Sequence, residues 1–177
     1  MGRKINSGLS MGVHGQLSFE NFELLNKLNE QASCGDVVVP NLNNQFLENI
    51  NHRSDKDIND TYDIVGHGTP YYIEYQIEGM KEAIPVYHRD LARILYHRKD
   101  YKKGMSIRLL SCNTGSIDFG LAQKLANKLN AIVYAPNTFY WAYPNGKHLA
   151  AGRLSNGNVD LSEKGEMIAF YPGGRRK

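Results

Sequence analysis

A chain of 177 residues, 41% hydrophobic and 22% charged, suffices for one ordinary domain that buries about two-thirds of the surface its unfolded form exposes. That mixture excludes disordered, fibrous and coiled-coil chains. The net charge of +3, from 21 Lys and Arg against 18 Asp and Glu, comes without a basic stripe, so nucleic acid is not indicated as a partner.

Residues 1–17 are rich in Gly and Ser, lack periodicity and read as a flexible arm; residues 18–177 then form a single domain without internal repeat or linker. Met1-Gly2-Arg3-Lys4 has no apolar stretch behind it and so does not open a Sec-type signal peptide. No run approaches the roughly 18 apolar residues of a membrane span, and the expected location is cytoplasmic, or outside the cell by another export route. Ser18 is placed to cap a helix with Phe19, Phe22, Leu25 and Leu28 on one face and Glu20 and Glu23 at its positive end. Val37-Val38-Val39 reads as a short buried strand ended by Pro40, and the Asn- and Asp-rich stretch 41–60 as a loop or a short broken helix. Tyr62-Asp63-Ile64-Val65 is a strand stopped by the turn Gly66-His67-Gly68-Thr69-Pro70.

Residues 71–86 alternate as a hairpin does, with Tyr71, Ile73 and Tyr75 opposed to Tyr72, Glu74 and Gln76. A helix over 88–100 presents Leu91, Ile94 and Leu95 and is closed by Gly104. Ile107-Arg108-Leu109-Leu110 is a second clear strand, ending at Ser111-Cys112-Asn113-Thr114-Gly115. Leu121, Ala122, Leu125, Ala126 and Leu129 mark an amphipathic helix that starts near residue 117, with Ser116 or Asp118 as its cap. Residues 131–136 are a third strand, and 138–171 read as a hairpin around Pro144-Asn145-Gly146 followed by a last strand at Met167–Tyr171. Strands alternating with helices imply an α/β fold with parallel neighbours and right-handed crossovers.

Ligands and catalytic groups of an open α/β sheet gather beyond the carboxyl ends of its strands. Two strands end there with distinctive punctuation, His67 between two glycines and Cys112 opening a Cys-Asn-Thr-Gly turn. If the strands are neighbours, an imidazole and a thiol meet at one edge, which is a base and nucleophile constellation. Gly68 and Gly115 are read as leaving backbone N–H groups free to face an oxyanion, and the helix near 117 as favouring a thiolate. Cys34, between Ser33 and Gly35, is read as structural; with Cys112 it makes two cysteines in all, too few for a disulfide framework. Asp63 is read as a structural carboxylate in preference to a third catalytic member. No metal site is expected, since His67, His88, His97 and His148 show no ligand spacing.

The run Val65-Gly66-His67-Gly68, a hairpin and helix, then Leu109-Leu110-Ser111-Cys112-Asn113-Thr114-Gly115 resembles the caspase-like (clan CD) cysteine peptidases, which include caspases, legumains, gingipains and the self-processing protease domains of bacterial toxins. Ala122-Gln123-Lys124-Leu125-Ala126 and Val133-Tyr134-Ala135-Pro136 extend the resemblance to peptidase-like domains of bacterial effector toxins. It covers residues 60–136 and implies a three-layer α/β/α sandwich with a mostly parallel central sheet and a C-terminal β-hairpin. It further implies His67 as the catalytic histidine, Cys112 as the nucleophile, the N–H groups of Gly68 and Cys112 as the oxyanion hole, and no cofactor. The partner is then a protein substrate or the chain's own precursor, with a cognate immunity or inhibitor protein as a second partner. Caspases carry Gln-Ala-Cys-x-Gly, whereas Ser111 precedes this thiol and Gly115 follows three places on, closer to the legumain spacing.

Asn137, Tyr140 and Trp141 leave the third strand beside this site and are read as substrate-binding, with core or hairpin packing as an equal alternative. Asp118 or Asp160 is the alternative selector, for a basic residue. The basic group Arg98, Lys99, Lys102 and Lys103 is read as solvated surface ahead of a polyanion site. The competing function is a catalytically inactive caspase-like interaction module.

Overall fold

The computed structural model describes residues 16–31, 36–56 and 60–176. Cys34 and nearly all of the arm expected over 1–17 lie outside them. The first half of the chain forms α1 (Phe19–Glu30), β1 (Asp36–Val38), α2 (Gln45–Asn51), β2 (Thr61–Val65), β3 (His67–Gly68), β4 (Ile73–Tyr75), β5 (Ile84–Val86) and α3 (His88–His97). The second half adds β6 (Ser106–Leu110), α4 (Leu121–Leu129), β7 (Val133–Pro136), β8 (Tyr140–Ala142), β9 (His148–Arg153), β10 (Val159–Lys164), β11 (Met167–Tyr171) and β12 (Arg175–Arg176). The stretch 41–60, read as loop or broken helix, thus contains the two-turn α2.

The central sheet runs β1-β2-β6-β7-β11-β12. Its first four strands are parallel, as expected of apolar runs joined through helices, and β11 and β12 close one edge antiparallel. Strand alternation divides the side chains between two cores. Val37, Tyr62, Ile64, Ile107, Leu109, Val133 and Ala135 face α1, α3 and α4 in the larger one. Val65 and Leu110 face the other way, onto Leu47 and Ile50 of α2 and Tyr140 of β8.

The second outer layer therefore differs from a layer of helices. It is α2 together with a three-stranded antiparallel meander, β10-β9-β8. The β8–β9 pair turns at Pro144-Asn145-Gly146, and a second Asn-Gly turn at Asn156-Gly157, passed over in the sequence, leads into β10. Residues 71–86 hold the antiparallel pair β4–β5, which β3 joins as a third strand.

Two helices depart from their expected form. In α1 the Ser18 cap is present, its Oγ accepting from Asn21 N at 3.3 Å. The buried face, however, is Phe22, Leu25, Asn26 and Asn29, while Phe19 is 75% exposed and Leu28 38%. Asn29 turns inward because β1 lies at the edge of the sheet. Its side chain accepts from Val38 N at 2.7 Å and donates to Val38 O at 2.9 Å, replacing the missing strand partner. In α4 the first residue is Leu121 and the cap Gly120, so neither Ser116 nor Asp118 caps it. Leu121 N donates to Pro70 O at 2.8 Å, and a side chain at Gly120 would collide with that same carbonyl.

Candidate active site

β2 and β6 are parallel neighbours in register, Val65 opposite Leu110, so the chain leaves both strands at one edge. Gly66 N extends the ladder by one bond to Leu110 O at 3.4 Å. Beyond it, a Cβ on Gly68 would overlap Ser111 Oγ and lie 2.6 Å from Cys112 O and 2.8 Å from Thr114 Cγ2. The glycine is required by this approach of two main chains. The result is that His67 and Cys112 line one cleft of about 350 Å³, walled by Phe46 of α2 and by Phe139, Tyr140 and Trp141.

The turn after β6 is tied down from within. Thr114 Oγ1 donates to Ser111 O at 3.0 Å and Ser116 Oγ to Asn113 O at 2.7 Å. Asn113 takes a left-handed φ of 60°, which asparagine tolerates. Its N–H donates to Thr138 O at 2.8 Å, and Gly115 N donates to Pro136 O at 2.8 Å. The N–H of Gly115 is thus engaged by β7 and not free for an oxyanion; the residue is glycine because a Cβ there would collide with the Ala135 carbonyl. The N–H of Gly68 differs. Thr69 N donates to Tyr72 O at 2.9 Å, and hydrogen-bonded residues alternate along an antiparallel pair, so Gly68, opposite Ile73, turns its N–H away from β4.

His67 is oriented by a group the sequence did not reveal, the main-chain carbonyl of Asn43, 2.7 Å from Nε2. A carbonyl only accepts, so Nε2 carries a proton, and a neutral ring presents Nδ1 as its basic nitrogen. The Phe46 ring packs on the imidazole at 5.7 Å between centroids. Cys112 Sγ accepts from Tyr140 N at 3.2 Å and donates to Tyr140 O at 3.6 Å. Burial pushes its thiol up, outweighing the N–H groups of Tyr140 and of Cys112 itself and the charge of Arg153. The expected help from a helix N-terminus is absent, because α4 begins only at Leu121 and is bound there to Pro70.

A partly buried chain of polar and charged groups supports Tyr140 from behind. Its hydroxyl lies 2.6 Å from His148 Nδ1, and His148 Nε2 lies 2.8 Å from Asp55 Oδ1. Asp55 and Asp63 both accept from Arg108, at 2.7 Å each, and Asp63 also accepts from Arg53 at 2.9 Å, which in turn holds Asp36. Asp63 is therefore the structural carboxylate expected. Burial raises the Asp55 carboxyl, but hydrogen bonds and charge from Arg108 and His148 prevail and lower it to about 2. A carboxylate depressed in the folded state adds stability above its unfolded pKa, near 3.8, and loses it as pH falls toward 2. Asp55→Asn is thus expected to flatten the loss of stability between pH 4 and pH 2, checked by urea unfolding at pH 2.5, 4 and 7.

Of the residues read as substrate-binding, Tyr140 and Trp141 line the cleft. Asn137 is not among its walls, since its Oδ1 accepts from Glu166 N at 2.9 Å and its own N donates to Glu166 O at 3.0 Å. Neither Asp118 nor Asp160 lines the cleft; the charged wall residue is Arg153, at the end of β9. His97 and His148 are engaged elsewhere, by Arg93 O and by Asp55. Among the described residues no three His, Cys, Asp or Glu side chains converge as a metal site would require, and no helix is long and apolar enough to cross a membrane.

A family model described as a domain of unknown function, DUF8616, matches residues 33–150, which include His67 and Cys112. No curated protein and no solved structure matches the chain.

Proposed function

We propose that this chain, which belongs to the DUF8616 family of domains of unknown function, is a cysteine endopeptidase that uses His67 and Cys112 to cut a protein substrate or its own precursor. One observation carries the reading: an imidazole and a thiol from the ends of adjacent parallel strands line a single cleft. The resemblance to caspase-like peptidases supports the same roles and adds that of a bacterial effector or toxin.

In the proposed reaction Cys112 Sγ attacks the scissile carbonyl as its proton passes to His67 Nδ1. The imidazolium then protonates the leaving amine, and water hydrolyses the thioester, restoring the thiol and the carboxylate product. The N–H groups of Gly68 and Cys112 are the proposed oxyanion donors. The hydrogen bond from Asn43 serves to fix the ring, a main-chain oxygen in the place a carboxylate takes in other triads. Mass spectrometry of the purified wild-type chain beside Cys112→Ala, alone and with a denatured protein substrate, tests this. Fragments in wild type only are the expected result; the same fragments from both chains overturn the assignment.

A second reading is favoured by the half-buried thiol, which Tyr140 engages through both its N–H and its carbonyl. It is an inactive module of the same fold that serves binding alone. An inert buried thiol is alkylated slowly, so rapid reaction of Cys112 with iodoacetamide at pH 7 rejects it.

A further inference from the structure

The charge of the cleft carries a second step. Among the described residues that line it, none is acidic, and Arg153 is the one permanent cation. Three arginines have carboxylate partners within the fold: Arg53 holds Asp36 and Asp63, Arg98 holds Asp100, and Arg108 holds Asp55 and Asp63. Arg153 has no carboxylate within ion-pair distance among the described residues, and it is exposed.

Its position is nevertheless defined. The guanidinium lies 5.7 Å from the centroid of the Phe139 ring, on the aromatic wall of the cleft. Across the Asn156-Gly157 turn, where Gly157 takes a left-handed φ of 88°, a Cβ would come 3.4 Å from Nη2, so the turn passes close beside the guanidinium. It lines the same cleft as Cys112, and its charge acts on the thiol. A planar, permanently charged fork without a carboxylate, at the rim of an acid-free cleft, is built to receive one.

We infer that Arg153 selects an acidic side chain, Asp or Glu, in the polypeptide segment that occupies the cleft beside Cys112. The sign is opposite to the basic preference that Asp118 or Asp160 would confer, and neither of those residues reaches the cleft. Arg153 lies just beyond the matched segment 33–150, at the end of β9. The inference deepens the peptidase reading and rests on it for its substrate, so the test keeps the two apart.

Wild type, Arg153→Ala and Arg153→Lys are treated with sulfonatoethyl and trimethylammonioethyl methanethiosulfonates, reagents of similar size and opposite charge. The rate at Cys112 is followed by mass spectrometry of the peptide that contains it. The anionic reagent is expected to react faster in wild type. The anion-to-cation rate ratio should fall about fivefold in Arg153→Ala, the scale of one nearby charge in a wet cleft, and recover in Arg153→Lys. A ratio unchanged in Arg153→Ala overturns the inference. In parallel, three peptides differing only in Asp, Leu or Lys before the scissile bond are offered to wild type. Preference for the Asp peptide, lost in Arg153→Ala, supports the inference, and equal cleavage of all three overturns it while leaving the peptidase intact. If no peptide is cut while the rate ratio still depends on Arg153, the peptidase reading fails and the selection of anionic groups stands.

Discussion

Asp63→Ala is expected to lower the unfolding free energy by about 3–5 kcal/mol, among the largest effects of any single substitution outside the apolar core. The carboxylate is buried and accepts from two guanidinium groups, Arg53 and Arg108. The Arg53 side chain has no solvent exposure, and after the substitution Asp36 and Ile50 O would be its remaining partners among the described residues. An uncompensated buried charge is costlier than the intact pair is favourable, so the loss exceeds any figure assigned to one hydrogen bond. Urea unfolding followed by circular dichroism measures it. Asp55→Ala is the internal control, because Asp55 is 32% exposed and water can replace part of what it provides; its loss should be clearly smaller. Equal losses at the two positions would show that burial of Asp63 is not what matters.

On the proposed peptidase reading, Gly68→Ala should reduce the specificity constant by about a hundredfold, the scale of a misplacement near 1 Å between reacting groups. The added methyl would strike Ser111 Oγ and lie 2.6 Å from the carbonyl of Cys112, so the two main chains that carry His67 and the thiol must separate. Ser111 offers a way to tell displacement from unfolding. Its hydroxyl is buried without a hydrogen-bond partner among the described residues, so Ser111→Ala should be close to neutral in stability. In that background Gly68→Ala meets one obstacle fewer, and part of the lost activity should return. Activity that stays at the level of Gly68→Ala alone, with an unchanged melting temperature, would mean that the spacing of the two turns does not govern the rate.

The parts of the fold that could be read from the sequence are those where local chemistry and tertiary position agree. Ile64-Val65 and Leu109-Leu110 are apolar on both sides because both faces of their sheet are covered, and a glycine or a small residue ends each run where the chain must turn. The face of α1 was not legible, since Asn29 is buried to complete the edge of β1, a requirement set by a strand that follows it in the chain. The start of α4 was hidden for a similar reason, its first N–H being claimed by Pro70 from a distant turn. In the site, His67 and Cys112 could be singled out by their punctuation. Arg153 could not, because only the pairing of β9 with β8 carries it to the cleft, and nothing near it in the chain signals that destination.

The group that orients His67 has a consequence for how such a site varies. It is the carbonyl of Asn43, held by the path of a short loop: Pro40 O anchors one end by accepting from Gln76 N at 3.0 Å, and Asn41 Oδ1 braces the middle by accepting from Asn43 N at 3.0 Å. Any side chain at position 43 still supplies a carbonyl, so point substitution there cannot delete the contact. Inserting or removing a residue between Pro40 and Gln45 would displace it. What this chain inherits as the setting of its histidine is a length, indifferent to most of the letters that fill it.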